Sequence, residues 1–412
     1  MNEPLRAEVR QAHIERQPVI SRQGDTVGYE LHYHGLRGNS QAGHDEAAST
    51  ALLAHILNNL DARWLPEDKR IFFNTGIGQL KDPDFVALLP AGRLVLDLHG
   101  TDTPIDEQTL CACDVLRRHD VGLSVDGGQI DTLDPELMIR ANYVKFDTST
   151  SDRIQLHAQL EKLKPFPARK VARRVDSFRD YKTFHDFGFD LFQGYFFTRP
   201  EVIADREINT SLAHLVKLFE LVGEGADPPR IETAFKGDPT LVLKLLNYIN
   251  SAGMGLGRKV TSITQAIQIL GYRQLYRWVA LLLYTAGHSP TPGALMKTVL
   301  TRSRLIELLG QKTLPRHEQD NLFMIGMLSM LDAVFGLTLT KALAKLPIPD
   351  QMRDIILNHE GTAGRLLLLA TALEQADFLR VDSLVTSLGL DIATLNGAHF
   401  EALGWAEALA PG

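Results

Sequence analysis

The stretch Gly122-Leu123-Ser124-Val125-Asp126, followed further on by Tyr143-Val144-Lys145-Phe146-Asp147, holds two short β-forming runs, each ending on an aspartate. Runs of the same kind stand at residues 27–33, 70–74, 94–98 and 169–172, with a shorter one near Leu191 and a first one around 13–20. Helix-like patterns fill about 45–63, 106–119, 151–163 and 177–187. Seven strands or more alternating with helices predict an α/β domain built as a (β/α)8-type barrel, which suits that count better than a small open sheet.

After Pro200 the strand signals stop. Leu212, Leu215, Val216 and Phe219, then Leu241, Leu245, Leu246 and Ile249, recur at helical spacing; Asp238-Pro239 and Ser262 mark helix starts and Gly271 a helix end. The 412 residues therefore divide into a barrel domain at 1–203 and an all-α domain at 204–412. Hydrophobic residues at 44% and charged residues at 23% exclude a disordered or coiled-coil chain. Lys and Arg total 43 against 50 Asp and Glu, a net charge of -7, so nucleic acid is not expected as a partner. Cys111 and Cys113 point away from each other on an expected helix and make neither a disulfide nor a zinc site. The longest apolar stretch, residues 278–284, falls far short of the roughly 20 residues needed to cross a bilayer, and residues 1–17 lack the apolar segment of a signal peptide. A cytoplasmic protein without membrane insertion is expected.

In a barrel the carboxyl ends of the strands converge on one mouth. Glu30, Asn74, Asp97, Asp126, Lys145 and Asp147 fall at such ends. Three carboxylates and an amide from four strands are hard oxygen donors of the kind magnesium, manganese or calcium prefers; the bland alternative is that they cap strands and bond neighbouring loops. The order of motifs favours a site. Gly28-Tyr29-Glu30-Leu31, Asn74, Asp97, Asp126, Lys145-Phe146-Asp147 and, most specifically, Phe189-Asp190-Leu191-Phe192-Gln193-Gly194-Tyr195-Phe196-Phe197-Thr198-Arg199-Pro200 resemble the signatures of the EAL domain, a cyclic di-GMP phosphodiesterase barrel, across about residues 13–203. The resemblance implies metal binding at Glu30, Asn74, Asp97 and Asp126, although Asp97 stands where a Glu is usual.

The departures from that pattern bear on function. The family's second paired aspartate falls at Gly127, a phosphate-holding Arg at His34 and a Glu of the third strand motif at Gly100. Val171-Ala172-Arg173-Arg174-Val175-Asp176 resembles the stretch that carries the general-base Glu, but Arg173 occupies that position. A guanidinium stays charged and takes no proton from water. The resemblance thus implies a vestigial pocket of Glu30, His34, Asn74, Asp97, Asp126, Gly127, Lys145, Asp147, Arg173, Asp176 and Gln193, with no catalytic residue and no cofactor. Arg173 is expected to pair with Glu30, Asp97 or Asp126 in place of an ion.

In the second domain, Asp238-Pro239-Thr240-Leu241-Val242-Leu243-Lys244-Leu245-Leu246-Asn247-Tyr248-Ile249-Asn250-Ser251-Ala252, Val260 to Ile267, Leu270-Gly271 and Gly326 to Leu331 resemble the HDOD domain, a helical signalling module related to metal-dependent HD phosphohydrolases. Ser329-Met330 stands where an active relative would carry His-Asp, and neither residue suits a hard metal. His359-Glu360 is read as a solvated or capping pair on a helix, His317-Glu318 as part of a charged turn, and the glycines at 253–257 as an interhelical loop. Arg258, Lys259, Arg273 and Arg277 near Tyr272, Tyr276 and Trp278 offer a basic patch, but the aromatics are read as core and the arginines as its wet face.

An EAL-type barrel followed by an HDOD domain resembles a two-domain bacterial signalling class. The expected function is non-catalytic regulation or scaffolding in cyclic di-GMP-linked signal transduction, through contacts with signalling proteins that include a second copy of the chain. His34 and Gly127 argue against cyclic di-GMP binding. The enzyme alternative is a phosphodiesterase using Mg or Mn on Glu30, Asn74, Asp97 and Asp126 with Lys145 beside them; a third reading is a receptor that holds the dinucleotide without hydrolysis.

Overall fold

Backbone pairing closes the N-terminal part of the chain into an eight-stranded barrel in the computed structural model, which describes residues 13–34, 68–89, 92–101, 105–149, 153–198, 210–250, 259–286 and 291–409. The strands are β1 (His13–Ser21), β2 (Thr26–His34), β3 (Arg70–Gly76), β4 (Leu94–His99), β5 (Gly122–Asp126), β6 (Tyr143–Asp147), β7 (Arg169–Arg173) and β8 (Leu191–Phe192). They neighbour one another in chain order, and β8 closes on β1. The expected helix at 45–63, the domain boundary at 203, the glycines at 253–257 and Arg258 lie outside the described residues.

Strands β2 to β8 run parallel, whereas β1 is antiparallel to both neighbours. The cause is the short link at 22–25, turned by Gly24 at φ 88°. Four residues make a hairpin, not the longer crossover that a parallel pair requires.

Alternation along the strands sorts the side chains. Val19, Phe72, Val95, Val171 and Leu191 form an apolar plug inside the barrel. Their outward neighbours, among them Ile71, Phe73, Leu94, Leu96, Leu123 and Val125, pack in the core beneath the helices. Helices Glu107–Arg118, Arg153–Leu163 and Phe178–Asp186 follow their strands as expected. Pro83–Leu88 and Pro135–Arg140 were not expected, since six residues are too few for a 3.6-residue period to show. Each nonetheless carries an Asp-Pro start, with Asp82 and Asp134 accepting from the amide two residues on at 2.9 and 2.8 Å. Cys111 is exposed and Cys113 buried, on opposite sides of their helix.

From Thr210 onward the described residues form helices around one large apolar core. Gly271, at φ 70°, breaks Ile263–Ala286 where a helix end was expected. Two readings are corrected. His359 and Glu360 do not share a helix: His359 ends Asp350–Asn358 in the left-handed region at φ 57°, and Glu360 precedes Gly361–Glu374. His317 and Glu318 lie in the short helix Arg316–Gln319 instead of a turn. Trp278 is buried and Tyr276 stacks on Phe219, while Arg273 pairs with Asp320 at 3.0 Å and Arg277 with Glu307 at 2.7 Å, so these two arginines are committed.

The helical part packs on the outside of β1 and β2. Glu407, from Ile392–Leu409, accepts from the Tyr29 hydroxyl at 2.5 Å and from Lys297 of Pro292–Thr313 at 2.7 Å, all three side chains being buried. Arg16 donates to the His399 carbonyl at 3.3 Å and lies 5.0 Å from the Phe400 ring centroid; burial lowers its pKa to about 9. Among the described residues, no helix is long and apolar enough to cross a membrane.

Candidate functional site

Above the apolar plug the inward positions turn polar. Parallel register places Asn74 opposite Asp97, Asp126 opposite Lys145 and Asp147 opposite Arg173. Lys145 is fully buried, 5.2 Å from the Phe72 ring centroid. Its ammonium reaches Glu30 Oε2 at 2.6 Å and Asp97 Oδ2 at 2.7 Å. Gln193 Nε2 donates to the same Glu30 oxygen at 2.6 Å, and Asn74 Nδ2 to the other at 3.3 Å. The second oxygen of Asp97 accepts from Ser124 at 2.9 Å. Burial alone would push the Glu30 carboxyl up, but Lys145 and then His32 hold it well below the usual carboxylate range.

The structure therefore brings Glu30, Asn74, Asp97, Lys145 and Gln193 into one buried cluster. Two members were missed from sequence. His32 Nε2 lies 3.3 Å from Glu30 Oε1, and its Nδ1 faces the Asn74 amide nitrogen at 3.1 Å. Ser124 is the other. Period two was the available signal, because His32 follows Glu30 and Ser124 precedes Asp126 by one pleat.

Arg173, at the end of β7, stands with Nη2 3.6 Å from Asp126 Oδ2. Burial would lower its pKa, but the charges of Asp97, Glu30, Asp126 and Asp147 raise it. Of the three partners expected for Arg173, Asp126 is the one in contact. The other Asp126 oxygen accepts from the Gly128 amide at 2.8 Å. Asp147 and Asp176 leave the cluster. Asp147 pairs with Arg174 at 3.3 Å and accepts from Ser149, while Asp176 accepts from the Tyr195 amide at 3.5 Å, because each serves the loop beyond its strand. The side chain of His34 lies outside the described residues.

Two glycines explain local shape. A Cβ on Gly127 would sit 2.5 Å from the buried Phe146 ring, so this position has no room for a side chain unless the ring shifts. Gly194, at φ 151°, brings its backbone so close to Val175 that a Cβ would meet the carbonyl oxygen at 2.0 Å. The Gln-Gly pair thereby delivers Gln193 to Glu30.

The donor set does not fit a resident divalent ion. Glu30 is committed to Lys145, Gln193, Asn74 and His32, Asp97 to Lys145 and Ser124, and Asp126 to Gly128 and Arg173. Among the described residues, no three His, Cys, Asp or Glu side chains converge on a position for a metal. The amino group of Lys145 and the guanidinium of Arg173 neutralise carboxylates that an ion would otherwise need.

Residues 212–356 match the family model of the HDOD domain, so the helical part carries an HDOD domain. The protein YuxH of Bacillus subtilis (strain 168) is 28% identical over 406 residues, covering 95% of this chain and 97% of its own length. The Vibrio cholerae protein named cyclic di-GMP phosphodiesterase CdgJ is 25% identical over 400 residues, covering 96% of this chain and 92% of its own. Among solved structures, an EAL domain protein of Listeria monocytogenes EGD-e shares 15% identity at a TM-score of 0.38, over 47% of this chain and 90% of its own.

Proposed function

We propose that this chain, an EAL-type barrel joined to an HDOD domain, is a non-catalytic regulatory protein of bacterial cyclic di-GMP-linked signalling that works in the cytoplasm through contacts with other signalling proteins or a second copy of itself. The observation that carries the reading is Lys145 between Glu30 and Asp97, with Arg173 against Asp126. Hydrolysis of a phosphodiester needs an activated water, by a general base or by a metal-bound hydroxide. Arg173 supplies no base, and the three carboxylates already answer to protein donors. The barrel then offers its surface and not its chemistry.

The whole-length similarity to the Vibrio cholerae protein favours a second reading, metal-dependent hydrolysis of cyclic di-GMP. In that case Glu30, Asn74, Asp97 and Asp126 would hold Mg or Mn, and Lys145 would steady a phosphate or the attacking water. Incubation of the purified chain with cyclic di-GMP and manganese is expected to give no linear product. Turnover that disappears in Glu30→Ala would replace the first reading with the second. Calorimetric titration with the dinucleotide is expected to show no heat in the micromolar range; binding without turnover would make the protein a receptor.

A further inference from the structure

A second polar cavity lies where the helical domain meets the chain that leaves the barrel. It encloses about 210 Å3, which is about seven waters' share of liquid volume. Tyr195 and Thr198, just beyond Gln193-Gly194, form one wall, and Arg302, Ser329, Asp332, His359 and Glu374 the others. Each domain alone has only part of it.

Among the side chains lining this cavity, two carboxylates, Asp332 and Glu374, face one cation, Arg302. Arg302 is fixed: its guanidinium donates to both oxygens of Glu374, through Nε at 2.9 Å and through Nη2, and to Ser329 Oγ at 2.8 Å. Both of its carboxylate hydrogen bonds go to Glu374, so Asp332 feels its charge without direct contact. Asp332 Oδ1 accepts from the neighbouring Ala333 amide at 2.9 Å. Buried Tyr284, whose hydroxyl is engaged by the Met327 carbonyl, lies within its field and supplies no positive charge. Burial raises the Asp332 pKa to about 6, with the Ala333 amide hydrogen bond and then Arg302 opposing, so the ionised form is favoured as pH rises above 7. On the facing junction, His359 Nδ1 is buried without a hydrogen-bond partner. Burial and then Arg380 lower the His359 pKa, which leaves the ring neutral and able to accept a hydrogen bond.

We propose that this interdomain cavity is a binding site for a small organic cation, an alkylamine or guanidinium compound whose N–H groups satisfy Asp332 and His359. The surplus negative charge selects a cation, and the unsatisfied ring nitrogen selects a hydrogen-bond donor. The volume admits a ligand smaller than a dinucleotide, so the site is separate in chemistry and place from the barrel mouth. Tyr195 and Thr198 make occupancy a contact across both domains.

The test is thermal unfolding of the full chain near neutral pH with n-butylamine, with agmatine, with n-butanol as the uncharged control, and with manganese chloride alone. The expected result is a saturable rise in Tm with either amine and none with butanol or manganese. The rise should shrink as pH falls toward 5, where Asp332 takes up a proton, and should vanish in Asp332→Asn. Since that variant removes a half-buried carboxylate that no cation pairs with directly, its own Tm should be no lower than the parent's near neutral pH. If it fails to fold, Thr371→Leu, which fills the cavity from a neutral wall, should abolish the response instead. An amine response that survives Asp332→Asn or Thr371→Leu, an equal response to butanol, or a manganese response without an amine response would overturn the proposal.

Discussion

The Tyr29 hydroxyl donates to Glu407 across 378 residues of chain, and the next residue, Glu30, holds the Lys145 ammonium inside the barrel. The pleat of β2 turns these two side chains to opposite faces, so a single step along one strand carries both the domain seam and the site. Anything that shifts Glu407 is thereby felt one peptide away from Glu30.

Tyr29→Phe should lower stability by about 1.5–3 kcal/mol, the value of a buried hydrogen bond to a charged group. Lys297→Met should cost more, about 3–5 kcal/mol, because it leaves the Glu407 carboxylate buried without its cation. Urea unfolding measures both. The double variant Tyr29→Phe with Glu407→Gln should lose less than the two single losses combined, since the residues share one interaction.

Lys145→Met leaves Glu30 and Asp97 facing each other without their shared cation. A loss of about 3–5 kcal/mol is expected at neutral pH. The loss should shrink on acidification as the carboxylates take up protons. In the parent protein the Glu30 pKa is lower folded than unfolded, so its contribution is present above the ordinary carboxylate range of about 4.3 and is lost only as pH falls well below it. Unfolding curves at several pH values, with and without the substitution, check both the sign and the window.

The barrel was legible because its strands are short apolar runs ending in polar residues, and the converging ends found Glu30, Asn74, Asp97 and Lys145 by one geometric rule. What escaped is local or long-range. The helices Pro83–Leu88 and Pro135–Arg140 are too short to show a period, and only their Asp-Pro starts betray them. His32 and Ser124 carry no motif, and their roles follow from strand pleating together with partners on other strands. Tyr29 read as one letter of a signature; its partner Glu407 sits on the last described helix, and no periodicity in sequence joins them. The hairpin that reverses β1 was equally silent in a count of strands and helices.

Gly127→Ala tests whether the position beside Asp126 is closed by packing. The added methyl meets the Phe146 ring, which is itself held edge-on against Phe189, so the ring cannot yield freely. A destabilisation of about 1–3 kcal/mol is expected from overpacking. In a Phe146→Leu background the same substitution should cost distinctly less. Equal costs in both backgrounds, measured by thermal unfolding, would show that Phe146 does not close the position.

Arg173→Glu asks whether the protein's own cations stand in for an ion. The substitution removes the partner of Asp126 and adds a fourth carboxylate to Glu30, Asp97 and Asp126, with Lys145 left as the nearest cation. The variant should melt below the parent in chelator. Manganese should then raise its Tm, with a stabilisation of about 2.7 kcal/mol once the ion exceeds its Kd a hundredfold. The parent should not respond, because its carboxylates are committed to Lys145, Ser124, Gly128 and Arg173. A parent Tm that climbs with manganese as steeply as the variant's would mean that an ion displaces Lys145 or Arg173 from the pocket, and the metal-dependent reading of the barrel would then take precedence.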